Sequence, residues 1–345
     1  MRNLASIQTV SNIEPIEGSD FVEKLDVLGW HLVGRKGEFH VGDLCVYIEC
    51  DSVLPLDNPD FDFLKDANRP EKPIRIKTRR IRQQISQGIA FPLSILEGKR
   101  YTNDTRENPV YDFKEGQDVT ELLGITKYEP PEKSGGEFRS RGSFPSFIPK
   151  TDETRIQSCF HAMLPYIEST AFVVTEKLDG QSFSAWRHNE QLGCASRNLW
   201  VEDGDNRFWN IARKYGLHDK IPENVALQGE VCGPGIQQNR LKLEEVSLFI
   251  FNGYDIGKQE YWNHIDLMRF CVQNDIPTVP EIGFDEILPT SVDALVAIAT
   301  RKSALNTDVW AEGIVCRPMQ EKTHPRHGRV SWKIVNPEYL LQHGI

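Results

Sequence analysis

A chain of 345 residues, 39% hydrophobic and 26% charged, has the make-up of a globular protein of about two domains. No apolar run approaches the ~20 residues needed to cross a bilayer, and the N-terminal segment lacks the apolar core of a secretion signal. The net charge of −10 argues against bulk attraction to nucleic acid, so any such role must rest on local clusters of cations.

Seven scattered cysteines, with no Cys-x-x-Cys pair, read as reduced thiols in a reducing compartment, cytoplasm or nucleus. Nine histidines lack zinc-site spacing, so no structural metal is expected.

Residues 1–126 read as mostly β. Segments 5–10, 24–33 and 44–49 are rich in β-branched and aromatic residues, and Gly-containing turns separate them. Short strands at this spacing predict a small closed barrel, for which an OB-fold is the candidate that binds nucleic acid. Within it, 69–82 carries seven cations against the single acid Glu71. Ile74 and Ile76 alternate with Arg75 and Lys77, as in a strand presenting cations on one face. Arg75, Lys77, Arg79, Arg80 and Arg82 therefore read as a phosphate-tracking strand, the plainer alternative being a solvated surface. Residues 127–150, Gly/Pro-rich and basic toward their end, read as a linker.

From 151 to 345 the pattern is α+β. Helices are predicted at 153–164, 205–215, 261–274 and 293–303, and strands at 182–187, 225–231, 248–255, 313–317 and 329–335. The stretch that organises this half begins at Phe172-Val-Val, a buried-strand signal running into Lys177-Leu-Asp179-Gly180. An amine at the end of a rigid strand, desolvated and near other cations, can lose its proton near neutral pH and act as a nucleophile. Alone, Lys-x-Asp-Gly is also what an ordinary strand-to-turn transition looks like.

Four further stretches follow in order: Ser196-Arg197-Asn198; Gly229-Glu230; an apolar strand that includes Phe251; and Glu312-Gly-Ile-Val with a closing-strand Lys333. Glu230, Glu312 and Lys333 each interrupt what is otherwise a core strand. A charge there is costly unless it is paired or coordinates something.

These motifs in this order resemble the covalent nucleotidyltransferases, the ATP-dependent DNA and RNA ligases and the mRNA capping enzymes. With a β-barrel region placed first, and with stretches such as Asp51-Ser-Val-Leu-Pro55 and Lys150-Thr-Asp-Glu-Thr-Arg155, nearly the whole chain is similar to a small family of ATP-dependent RNA ligases. That family is typified by the Deinococcus and Naegleria enzymes. The resemblance implies an OB-fold domain followed by an α+β nucleotidyltransferase domain, ATP as AMP donor, and Mg²⁺ or Mn²⁺. Lys177 would form a lysyl-AMP, with its pKa lowered by Lys333 and the divalent ion. Asp179, Glu230 and Glu312 would hold the metal, Glu230 alternatively the ribose. Arg197 would bind ribose or phosphate, Phe251 would stack on adenine, and Glu176 would border it. Arg155 would meet phosphates or the substrate 5′ end. The implied partner is a nicked duplex with RNA on the 3′-hydroxyl side, sealed by a monomer.

One departure is visible: many ligases have Lys-x-Lys in the last motif, whereas here it is Ser331-Trp-Lys333. Lys322, Arg326 or Arg329 would then replace the first lysine. The alternatives are a capping-type guanylyltransferase, a DNA ligase, and an RNA-binding protein with a dead transferase domain.

Overall fold

The structure, a computed structural model, describes residues 3–101, 104–105, 111–128 and 138–344. The chain folds as two compact units, Met1–Glu132 with Leu340–Ile345, and Lys133–Tyr339.

In the first unit a five-stranded antiparallel sheet runs in the order Trp30–Arg35, Val22–Val27, Ala5–Pro15, Leu44–Ile48, Ile89–Pro92. Ala5–Pro15 serves both halves. Residues 5–9 pair with Leu44–Ile48, and beyond a bulge between Val10 and Asn12 the same strand pairs with Val22–Val27. A bulge bends and twists its strand, so the sheet curls. Along Leu44–Ile48 successive side chains serve different cores: Cys45 and Tyr47 pack with Leu25 and Leu32, Val46 and Ile48 with Ile7 and Leu54.

The strand expected at 24–33 is a hairpin. Val27 pairs with Trp30 across a two-residue turn, with Leu28 at φ 53° and Gly29 at φ 74°. Two left-handed residues match the twist of a tight hairpin, but an apolar Leu28 does not advertise such a turn. The basic strand is likewise divided. Ile74–Arg75 pairs with Ser52–Leu54, while Thr78–Ile81 forms a separate hairpin with Gln84–Gln87, turning at Arg82 and Gln83.

The second unit holds two antiparallel-rich sheets. The seven-stranded one has the order Ser140–Ser143, Leu199–Val201, Gln191–Ala195, Gln181–His188, Val225–Cys232, Ser247–Asp255, Glu260–Tyr261. The five-stranded one has the order Thr154–Arg155, Trp332–Val335, Gly313–Pro318, Phe172–Lys177, Glu281–Glu286. Helix Arg207–Lys214 packs Phe208 and Ile211 against Phe183 and Leu227 of the larger sheet. Helices Phe160–Ser169 and Val292–Ala299 pack Met163, Ile167 and Leu295 against Phe172, Ile314 and Trp332 of the smaller.

Segment 277–280 passes from one sheet to the other. Ile250 donates to the Pro277 carbonyl at 2.9 Å, Val279 donates to the Ile250 carbonyl at 3.0 Å, and Glu176 donates to the Pro280 carbonyl at 2.8 Å.

Two expectations are corrected here. The latter half of the 127–150 linker belongs to the second unit: Ser140–Ser143 pairs with Leu199–Val201, and Ile148 is buried with Trp186. Its residues 129–137 lie outside the described part. The helix expected at 153–164 starts later, at Phe160–Ser169, because Thr154–Arg155 pairs in parallel with Trp332 and Lys333.

Candidate functional site

Strand pairing brings the charged residues together. Lys177 ends its strand opposite Gly313, so the preceding residue, Glu312, lies beside it. One strand further, Lys333 pairs with Val315 on one side and Arg155 on the other. In the larger sheet Glu230 lies between Ser182 and Phe249. Two glycines make this approach possible. A Cβ on Gly180 would lie 2.4 Å from the Val231 carbonyl oxygen and 2.8 Å from Glu230 Cγ. One on Gly313 would lie 2.1 Å from the Ile334 carbonyl oxygen. No side chain fits at either distance, so the backbone itself sets the spacing around Lys177.

Lys177 Nζ sits 2.6 Å from Glu312 Oε2, with both side chains largely buried. Burial pulls the Lys177 amine down, but Glu312 and Glu230 outweigh it and hold the pKa above the ordinary lysine value. Lys333 is the lysine that is lowered, to about 7, by burial and then by Lys177 and Arg155. Burial lifts Glu230 to about 8, against the pull of Lys177 and with the help of Glu312 and Asp179. Glu312 is raised by burial as well, despite Lys177. The Gly180 N–H donates to Glu230. In this cluster burial outweighs pairing: it raises the acids Glu230 and Glu312 and lowers Lys333.

The remaining expected residues divide. Asp179 Oδ2 accepts from Arg240 Nη1 at 2.8 Å and from the Tyr339 hydroxyl. Among the described residues no three His, Cys, Asp or Glu side chains form a metal-holding group. Glu176 is buried; one oxygen accepts from the Ala304 N–H at 2.7 Å, and the other, Oε1, has no hydrogen-bond partner. Strand alternation puts it on the face opposite Lys177. Arg197 is half exposed and pairs with Asp152 at 2.6 Å. Asp152 in turn acts electrostatically on Lys333, so Arg197 belongs to the rim of the cluster.

Phe251 lies 5.8 Å from the Arg317 guanidinium and lines a small cavity with Val173, Thr175, Trp262 and Arg329. Phe249, not singled out from sequence, is the aromatic directly opposite Glu230.

Beside this cavity lies a second buried charge network. Glu153 accepts from Arg317 at 2.9 Å. Arg329 donates twice to Glu321 and once to Asn252 at 2.9 Å, with its guanidinium 3.7 Å over the Tyr261 ring. Burial would raise Glu153, but Arg317 and Arg329 bring its pKa below the usual carboxylate value. Of the cations expected to replace the first lysine of the last motif, Lys322 and Arg326 are exposed. Arg329 is held in this network next to Arg317, which the sequence reading did not name.

In the first unit, Arg75 is committed to Asp51 at 2.6 Å and stacks 3.8 Å over Tyr128. Arg82 donates to the Gly18 carbonyl at 2.8 Å and Lys77 to that of Gly344 at 2.6 Å. Arg79 and Arg80 are exposed on the hairpin.

Comparison with known proteins gives a consistent picture. An OB-fold domain model matches residues 4–93, and an RNA ligase model matches residues 170–335. Among solved structures, Naegleria gruberi RNA ligase with PPi is 34% identical, with TM-score 0.83, covering 100% of this chain and 99% of that one. A glutamate-to-alanine variant of the Naegleria gruberi enzyme with ATP and Mn is 32% identical, with TM-score 0.85, covering 100% of both chains. A lysine-to-methionine variant with AMP and Mn is 33% identical, with TM-score 0.84, covering 99% of each. No curated protein sequence matches the chain.

Proposed function

This chain belongs to the RNA ligase family and is an ATP-dependent RNA ligase acting through a lysyl-AMP; we propose that Lys177 is the lysine that carries the AMP. The observation that supports this is its position: a strand-end amine, largely buried, 2.6 Å from Glu312 and flanked by Glu230 and Lys333.

The amine must first lose a proton, and Glu312 Oε2 is the atom placed to take it. Nζ then attacks the α-phosphorus of ATP. The N–P bond forms, the bridge to the β-phosphate breaks, and pyrophosphate leaves with the bonding electrons. A 5′-phosphate oxygen next displaces the lysine to form a 5′-adenylylated end. The 3′-hydroxyl oxygen attacks that end and releases AMP. Lys333 and Arg155 contribute positive charge where negative charge accumulates on the α-phosphate.

Glu230 and Glu312 fit a divalent cation: both are hard oxygen donors, and burial lifts both above the usual carboxylate range. Bound there, the cation would lower the Lys177 pKa and offset phosphate charge. Phe249 and Phe251 offer faces to adenine. Glu176 supports the turn at 303–304 behind the nucleophile, and its unpartnered Oε1 is an acceptor suited to the adenine amine. Arg197 serves the rim.

The substrate is a nicked duplex with RNA on the 3′-hydroxyl side, whose 2′-hydroxyl gives a protein a means of telling RNA from DNA. Arg79 and Arg80 are the hairpin cations that track its phosphates. Incubation with ATP labelled at the α-phosphate, a divalent cation and then denaturing electrophoresis tests the central claim. The wild-type protein acquires a covalent label that withstands alkali and is released by acid, as a lysine phosphoramidate is, and Lys177→Ala acquires none. A labelled Lys177→Ala protein would refute the assignment.

A further inference from the structure

The residue two beyond Lys177 is held in an unusual way. Both donors to Asp179, Arg240 Nη1 and the Tyr339 hydroxyl, reach the same oxygen, Oδ2. Arg240 Nη1 also lies 3.1 Å from the Tyr339 oxygen, so the three groups close a triangle. The Asp179 and Arg240 side chains are only 15% and 16% exposed, which makes the pair far stronger than a surface ion pair.

The loop that delivers Arg240 is built at a conformational cost. Gln237, Gln238 and Asn239 lie at φ 44°, 62° and 49°, three consecutive non-glycine residues in the left-handed region. Such a conformation is costly for a non-glycine residue and persists only where its surroundings impose it. Here they do. Asn239 donates through its side chain to the Leu243 carbonyl at 2.9 Å and accepts from the Leu243 N–H at 3.0 Å, and Asn306 donates to the Leu241 carbonyl at 3.1 Å. A chain that needed only a surface loop here would have relaxed it.

We propose that Arg240 and Tyr339 are positioning residues for adenylylation. By gripping Asp179 through Oδ2 they lock the Lys177-Leu-Asp-Gly turn and so hold Lys177 in place for the nucleotide. The proposal rests on the reading of Lys177 as the adenylylated residue. Neither Arg240 nor Tyr339 touches the reacting atoms; each acts through Asp179.

The test uses the full-length protein. In a Lys177→Met background, which cannot accept AMP, calorimetry measures binding of ATP in the presence of Mn²⁺. Arg240→Ala is expected to weaken binding roughly tenfold, the loss of one charge-assisted hydrogen bond. Adding Asp179→Asn to Arg240→Ala is expected to cost little more, because both changes break the same link. With Lys177 intact, the single-turnover rate of adduct formation at saturating ATP should fall for Arg240→Ala. It should recover in part for Arg240→Lys, which restores the charge without the planar fork. Melting temperature reports whether Arg240→Ala folds. If it does not, Tyr339→Phe, lacking a single hydroxyl, carries the same cycle with Asp179→Asn. Losses that multiply in the double variant, or an Arg240→Ala protein that binds and reacts like its parent, would overturn the proposal. Label on Lys177→Ala would instead remove the underlying reading, which the binding arm leaves separately visible.

Discussion

Two clusters of buried charge lie in the same unit, and they are built on opposite plans. Around Glu153, each carboxylate meets a guanidinium: Arg317 on Glu153, Arg329 on Glu321, with Asn252 and Tyr261 taking up the remaining contacts of Arg329. Its acid is pulled below the ordinary range. Around Lys177 the acids Glu230 and Glu312 are pushed up and Lys333 is pushed down. In the first cluster each acid has its own guanidinium. In the second, burial outweighs pairing for both acids and for Lys333. Buried charge of the first kind holds a fold together; buried charge of the second kind marks where chemistry occurs.

The comparison can be broken most directly by removing charge from each cluster. Glu230→Gln should lower the rate of adenylylation by about 10²-fold or more, the scale of losing an electrostatic contact at the reacting centre. It should leave melting temperature in metal-free buffer equal or higher. Glu153→Gln should do the reverse. Leaving Arg317 without its partner costs roughly 3–5 kcal/mol, a fall on the order of 10 °C in melting temperature. If the two variants lose activity and stability in parallel, the distinction fails.

Titration sharpens the contrast, because the two acids carry opposite signs. Glu153 is depressed in the folded state, so its contribution is present above the unfolded carboxylate value and is lost as pH falls through the folded one. Glu230 is raised, so the folded state binds the extra proton between about 4.5 and about 8, and stability declines as pH rises across that window. Melting curves from pH 3 to pH 9 should therefore flatten on the acid side in Glu153→Gln. In Glu230→Gln they should flatten on the neutral-to-alkaline side. A Glu230→Gln profile parallel to wild type above pH 5 would show that Glu230 ionises without penalty.

The smallest expected effect on the Lys177 chemistry lies in the first unit. Charge reversal at Arg79 and Arg80 should leave adduct formation within about twofold. It should weaken binding to a nicked RNA-containing duplex, with the salt slope reduced by about 2, close to one per lost phosphate contact. An unchanged slope, measured by titration at several salt concentrations, would assign the hairpin to solvent alone.

The sequence made parts of this site legible for a definite reason. Lys177, Glu230, Glu312 and Lys333 are charges set in strands that otherwise read as core, and such a mismatch is visible without coordinates. Arg240 and Tyr339 carry no comparable signal. One follows an irregular loop and the other begins a C-terminal helix, so only the fold brings them to Asp179. Phe249 carries no such signal either, because it is the bulge between Gln228 and Gly229 that brings it, rather than Ile250, opposite Glu230. At the level of fold, the linker reading failed at Ser140–Ser143, a fully exposed edge strand whose Ser and Gly residues look like any loop.

Segment 277–280 has a consequence for how this enzyme could be re-engineered. Its main chain bonds first to Ile250, between Phe249 and Phe251, and then to Glu176, beside Lys177. Two of its four residues are prolines, whose fixed φ stiffens the span. It acts as a caliper, setting the gap between the aromatic wall and the nucleophile in backbone rather than in side chains. Exchanging bases on the donor nucleotide is then a matter of repainting the walls. Admitting a donor of different thickness would require changing the number of residues in the caliper itself.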